Sequence, residues 1–331
     1  MNAPPSRRTR FLKDGLSLMD DRHLQAPLAQ FGGAAPPAPE WFADAMGKRP
    51  EISAVEIEGV NIEMLTWGER GRPGLLLLHG SGAHAGWWRF IAPYLAEQYR
   101  VCAISWSGMG GSDWRTTYTT EAFIAEALAG AEAAGLFESA AKPVFVGHSF
   151  GGHIAIFIAA HHGERLRASV IVDPPIFTPE RIAERKARPR KEAVYRPHRV
   201  YPTLEQALAR FRFAPTQRCD NVFIADAIAR ESLKQVAGES GEGWTWRFDP
   251  FLWKNMRRSS STPLIPEARC PIALIRGERS RLIRAEDAAY MMSLLPEGAP
   301  YVAIPDADHH VMVDQPLALV AALRGLLAGW P

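Results

Sequence analysis

Residues 143–152 read PVFVGHSFGG. A short apolar run ends in Gly147-His148-Ser149-Phe150-Gly151-Gly152, and a helical pattern over 150–162 follows. This predicts a strand buried on both faces, a tight turn, then a helix. A serine at the centre of such a turn takes strained backbone angles, and the residues two positions to either side must lack bulk. Gly147 and Gly151 satisfy that need, and Gly152 lets the helix pack close to the sheet. Ser149 Oγ is then presented above a helix N-terminus, whose free amides and dipole favour negative charge. G-x-S-x-G in this strand–turn–helix setting is a nucleophile elbow. Ser149 is read as the nucleophile, and the amide of Phe150 as one donor to the oxyanion that forms when it attacks an acyl carbon.

The same alternation extends outward. Residues 54–58 and 62–67 read as strands of a hairpin turning at Gly59. Leu75-Leu76-Leu77-Leu78 is a continuous apolar run, followed by a helical stretch over 85–98 and a strand over 101–106. An Ala-rich helix over 120–135, capped by Thr119 or Thr120, leads to the strand at 144–146. Beyond the elbow helix, a strand at 169–172 is stopped by Asp173-Pro174-Pro175. Strands at 272–275 and 301–304 alternate with helices at 285–294 and 317–327. Strands alternating with helices of this length imply βαβ crossovers and a mostly parallel α/β sheet.

Between 175 and 262 the alternation breaks. Helical stretches at 180–188, 204–211 and 222–234 and a Trp-rich segment appear, without a buried strand run. The expected organisation is an arm or linker over 1–50 with a short helix around 41–46, a core over 51–174 and 263–331, and a helical cap (lid) over 175–262. Such a cap covers the sheet's C-terminal edge, where open α/β sheets bind ligands. It carries 17 Lys/Arg against 10 Asp/Glu. That excess reads either as a solvated basic face or as a bias towards anionic substrates or a partner surface.

Composition narrows the class. The chain has 331 residues, 47% hydrophobic, with a net charge of +2, which gives no sign of nucleic-acid binding. Its three cysteines, Cys102, Cys219 and Cys270, lack metal-ligand or disulfide spacing. Ser6-Arg7-Arg8-Thr9-Arg10-Phe11 resembles a twin-arginine export motif, but Asp14, Asp20, Asp21, Arg22 and His23 interrupt the apolar stretch such a signal needs. A cytoplasmic protein without a membrane span is expected, with no cofactor and no metal. The arm leaves a homodimer possible.

His79-Gly80-Ser81-Gly82 after the Leu75–Leu78 run, with Trp87 and Trp88 beyond it, closely resembles the oxyanion loop of the α/β-hydrolase superfamily. Together with the elbow, this resemblance covers roughly residues 55–330 and implies an eight-stranded-type sheet with an inserted cap. It implies that the Ser81 amide is the second oxyanion donor and that His79 holds the loop. His148 then reads as a supporting or pocket residue. Catalytic histidines of the family stand seven residues before a proline, and Pro316 is seven after His309. His309 is therefore the base, and its neighbour His310 a loop contact. The base needs an orienting acid. The superfamily usually places it in a Gly-x-x-Asp pattern, but this chain reads Gly277-Glu278-Arg279-Ser280. A subset of the family carries the acid at the position of Asp173, which is the assignment made here. Glu278 is the alternative acid, and Asp287 a further one.

A serine nucleophile excludes the haloalkane dehalogenase and epoxide hydrolase chemistries of the superfamily, which use Asp there. It leaves hydrolysis of a carboxylic ester, lactone or thioester of a small compound. Other readings are a cofactor-free perhydrolase, a C–C bond hydrolase, or a ligand receptor with vestigial hydrolysis. Trp87, Trp88, Trp106, Trp114, Trp244, Trp246 and Trp253 point to a pocket for an apolar or aromatic group. Trp88, Trp106, Met109 and His148 are the pocket residues expected.

Overall fold

In the computed structural model of the chain, which describes residues 26–188, 194–238 and 241–330, the apolar runs form the middle of one eight-stranded sheet. Its strands are β1 (Glu51–Ile57), β2 (Val60–Trp67), β3 (Gly74–Leu78), β4 (Arg100–Ile104), β5 (Val144–His148), β6 (Ala168–Val172), β7 (Ile272–Gly277) and β8 (Tyr301–Ile304). Their spatial order is β1-β2-β4-β3-β5-β6-β7-β8. β2 runs antiparallel to β1 and β4, and the remaining pairs are parallel. Every residue of β3 to β7 is buried. Alternate side chains serve two layers: Leu75, Leu77 and Val146 pack with Trp88 and Phe90, whereas Leu76, Leu78 and Phe145 pack with Phe123 and Ile154.

The chain leaves β3 towards β4 on one side and β5 on the other. A crevice therefore opens at the C-terminal ends of β3 and β5. The loop after β3 and the elbow after β5 meet there.

Three expectations change. The stretch 85–98 is not one helix. It is a 3₁₀ turn at Ala85–Trp88 and a single α-turn at Ala92–Leu95. Pro93 can start a helix but has no N–H with which to continue an earlier one. The segment 175–262 is not wholly helical. Its helices are Pro179–Ala187, Leu204–Leu208 and Val222–Glu231, followed by an antiparallel hairpin of Leu233–Gly238 against Gly241–Trp246. Trp244-Thr245-Trp246 has strand preference, and Tyr201 pairs with Trp244 along the hairpin edge. Among the described residues of this segment none joins the main sheet.

The third change concerns the arm. Residues 1–25, including the arginine-rich motif, lie outside the described residues. Residues 26–50 are docked rather than free. The helix Glu40–Gly47 buries Phe42 and Ala45. Phe42 meets Phe223 of the inserted segment at 4.9 Å and Phe90 of the core at 5.8 Å. Tyr94 donates to the Trp41 carbonyl at 2.9 Å and Trp67 Nε1 to that of Lys48 at 3.0 Å. Among the described residues no helix is long and apolar enough to cross a membrane.

Candidate active site

Ser149 sits between β5 and the helix Phe150–His162 with φ 52° and ψ −112°. Its amide donates to the Val172 carbonyl at 2.9 Å, which ties the elbow to the neighbouring strand β6. A Cβ at Gly147 would come within 2.2 Å of the Gly151 carbonyl oxygen, and one at Gly151 within 2.5 Å of the Leu78 carbonyl oxygen. Backbone occupies both places, so neither glycine tolerates a side chain.

His309 follows β8 in a loop that returns over the sheet edge. Its Nε2 lies 3.0 Å from Ser149 Oγ and its Nδ1 2.7 Å from Asp173 Oδ2. A carboxylate only accepts hydrogen bonds, so Nδ1 carries the donated proton and Nε2 is left to accept the serine hydroxyl. Ser149 is 7% exposed, His309 1% and Asp173 0%. Asp173 ends β6 at φ 46°, a conformation strained for any residue but glycine. Its Oδ1 accepts the Gly277 amide at 3.0 Å, and its Oδ2 also accepts the Ser280 hydroxyl at 2.7 Å. Ser280, standing where the usual acid was expected, therefore holds the carboxylate that reaches His309 from the next strand.

The two alternative acids lie elsewhere. Glu278 is exposed, with its amide on the Ile304 carbonyl. Asp287 accepts the Arg284 amide at the start of the helix Ala285–Leu294 and pairs with Arg181 of the inserted segment.

The loop after β3 packs directly on the elbow: a Cβ at Gly80 would sit 3.1 Å from Ser149 Cβ. Ser81 is exposed at the mouth of this crevice. Phe150 begins the elbow helix, so its N–H has no carbonyl of that helix to donate to. His79 braces the loop. Its Nδ1 donates to the Gly80 carbonyl at 2.8 Å, and Trp106 donates its amide to Nε2 at 3.0 Å and its indole to the His79 carbonyl at 3.0 Å. Burial pushes the His79 pKa down to about 3, so the ring is neutral and its two roles fix one tautomer.

Three imidazoles crowd this site. The ring centres of His309 and His148 are 4.9 Å apart, and those of His309 and His310 also 4.9 Å. His148 Nε2 donates to the His309 carbonyl at 3.0 Å. Burial first, then the positive charge His309 can carry, holds His148 and His310 well below the usual histidine pKa. These three histidines can each bring a ring nitrogen within 4.8 Å of the others and, among the described residues, form the one group able to hold a metal ion.

A cavity of about 560 Å³ opens beside Ser81 and Gly82. Trp87, Phe211, Phe213, Trp246, Phe248 and Trp253 make it aromatic. This corrects the expected pocket in part: of the seven tryptophans read as pointing to a pocket, Trp87, Trp246 and Trp253 line the cavity. Trp88, Trp106 and Met109 are 0% exposed and belong to the core, and His148 is 1% exposed and does not line the cavity. The wall comes instead from the inserted segment, through Phe211, Phe213 and the hairpin.

Sequence reading missed Gln217 and Asp314. Gln217 Oε1 accepts the His310 amide at 2.8 Å, and its Nε2 donates to both Asp314 carboxylate oxygens at 2.9 Å. Asp314 also accepts the Asp308 amide at 2.7 Å. Burial, reinforced by the charges of Asp308 and Asp220, pushes the Asp314 pKa up to about 7 despite these donors. Nothing in the local sequence marks Gln217, because its partners lie about a hundred positions away.

Residues 75–323 match the profile described as "Alpha/beta hydrolase family". The chain is 26% identical over 303 residues to Esterase Rv0045c of Mycobacterium tuberculosis, covering 86% of this chain and 92% of that protein. The fold is similar to that of E-2-(acetamidomethylene)succinate hydrolase, with a TM-score of 0.68 at 20% identity over 85% of this chain and 100% of the other. It is also similar to a thioesterase domain from the curacin biosynthetic pathway, with a TM-score of 0.65 at 22% identity over 83% and 99% of the two chains.

Proposed function

Because the chain belongs to the alpha/beta hydrolase family, we propose that it is a serine hydrolase cleaving a carboxylic ester of a small apolar or aromatic compound. The observation that carries this reading is the unbroken hydrogen-bonded path Ser149–His309–Asp173, with steps of 3.0 and 2.7 Å. His309 Nε2 takes the Ser149 proton as Oγ attacks the ester carbonyl. The carbonyl oxygen becomes an oxyanion that the Phe150 and Ser81 amides receive, each donor contributing about 3 kcal/mol. Asp173 holds the imidazole in register and stabilises its protonated form. The imidazolium then gives its proton to the leaving alcohol, and an acyl-enzyme remains on Ser149. Water, deprotonated by the same histidine, attacks that ester and releases the acid. A lactone or thioester follows the same steps, and no metal or organic cofactor enters them. The name of the mycobacterial relative, an esterase, agrees with this chemistry.

The test is hydrolysis of 4-nitrophenyl acetate and butyrate. The wild-type protein should turn both over, and Ser149→Ala should lose activity by up to ~10⁶-fold. A rate equal in wild type and variant would refute the nucleophile. Absence of both turnover and an acyl burst in the wild type would favour a ligand receptor.

A further inference from the structure

The residues Arg210, Phe211, Arg212 and Phe213 border the aromatic cavity in succession. The two phenylalanines are buried, with ring centres 5.0 Å apart, while both arginines are exposed. Three arginines of the inserted segment meet acids: Arg181 meets Asp287, Arg218 meets Asp220 and Arg230 meets Asp226. Among the described residues no carboxylate pairs with Arg210 or Arg212. Arg212 donates to the Phe211 carbonyl at 3.0 Å, a neutral acceptor. Partial burial, and then the charge of Arg210, lowers the pKa of Arg212 from its ordinary value. Two like charges thus stand side by side at the cavity without a counter-charge.

Among the described residues the rest of the wall is neutral and contains no Asp or Glu. Trp87, 7% exposed, lines it, and its indole N–H has no hydrogen-bond partner among the described residues. The cavity therefore offers cations beside an aromatic body, and Ser81 and Gly82, from the loop that packs on the Ser149 elbow, line it as well.

We propose that the ester taken by this site carries a carboxylate on an apolar or aromatic acyl group, with the carboxylate received by Arg210 and Arg212 while the ester carbonyl lies at Ser149. This rests on the serine hydrolase reading. The guanidiniums are planar forks suited to a carboxylate, and their lack of an internal acid leaves that role to the substrate.

Two esters of equal chain length test the idea: mono-4-nitrophenyl suberate, which ends in a carboxylate, and 4-nitrophenyl octanoate, which ends in a methyl. Wild type should show the higher kcat/KM on the suberate, with a KM that rises with ionic strength, as screening demands. Arg210→Gln/Arg212→Gln should raise KM for the suberate by about tenfold or more while changing the octanoate less than about twofold. Equal effects on both esters, or no preference for the suberate, overturn the proposal. A binding measurement separates this outcome from failure of the hydrolase reading. In Ser149→Ala, quenching of tryptophan fluorescence should report tighter binding of monomethyl suberate than of methyl octanoate, and the two arginine substitutions should abolish the difference. If wild type hydrolyses neither ester, that binding preference alone upholds the anion site, and its absence overturns it.

Discussion

In the proposed triad, Ser280 and Asp173 divide a task that usually falls to one residue. The family pattern places an aspartate at position 280. Here a serine occupies it and donates to Asp173 Oδ2, which also faces His309. The consequence is testable residue by residue. Asp173→Asn should lose kcat by ~10⁴-fold, because an amide no longer enforces the productive tautomer. Ser280→Ala removes one of the donors to the carboxylate and should lower kcat only about tenfold, the scale of one hydrogen bond. Glu278→Gln should leave kcat unchanged, since that side chain is exposed. All three are read from steady-state hydrolysis of 4-nitrophenyl butyrate. At this scale much could be read in advance. The glycines around it mark Ser149 and the spacing to Pro316 marks His309, and the two side chains lie 3.0 Å apart. Ser280 cannot be an acid, which turns the reading to Asp173, and the hydrogen bond joining Ser280 to Asp173 depends on the adjacency of β6 and β7.

Elements carry a second set of contacts that local sequence hides. The loop bearing His309 is fixed by Gln217 of the inserted segment and by Asp314 at its far end. Gln217→Ala leaves the His310 amide and the Asp314 carboxylate short of a partner, and should cost about 1–3 kcal/mol in urea unfolding. Asp314 adds a dependence on pH. Burial pushes its carboxyl pKa up to about 7 in the folded chain from an ordinary value of 3.8. The folded state therefore binds the proton more tightly, and this contribution to stability declines as pH rises from about 4 to about 7. Asp314→Asn should flatten that part of the curve when Tm is measured across the interval. The sheet strands were legible because β3 and β5 are continuous apolar runs flanked by glycine. The hairpin Leu233–Gly238/Gly241–Trp246 was not, because a short Gly- and Trp-rich segment has neither the run nor the alternation of a core strand. Of the pocket wall, Trp87, Trp246 and Trp253 are legible in the sequence, whereas Phe211, Phe213 and Phe248 are not.

At the scale of the whole molecule, residues 26–50 link two regions that are distant in sequence. Phe42 touches Phe90 of the core and Phe223 of the inserted segment. Phe42→Ala should destabilise the protein by about 3–5 kcal/mol. A double-mutant cycle with Phe223→Ala should return a coupling of roughly 1 kcal/mol, detectable by urea titration. A coupling of zero would mean that the two rings are energetically independent. Composition pointed the other way here, since Pro- and Ala-rich text reads as linker. The few aromatic residues within it decide the packing.

The position of Asp173 has a consequence for how such a protein can diversify. The proposed nucleophile and acid both precede the inserted segment, within one stretch from Ser149 to Asp173 at the ends of the adjacent strands β5 and β6. Only His309 lies beyond it. Had the acid stood at position 280, two of the three groups would follow the insert. Lengthening, shortening or replacing residues 175–262 therefore puts a single reacting group at risk of displacement. The specificity-bearing part of the chain is free to drift while most of the chemistry stays anchored upstream, which makes this placement of the acid a licence for evolvability.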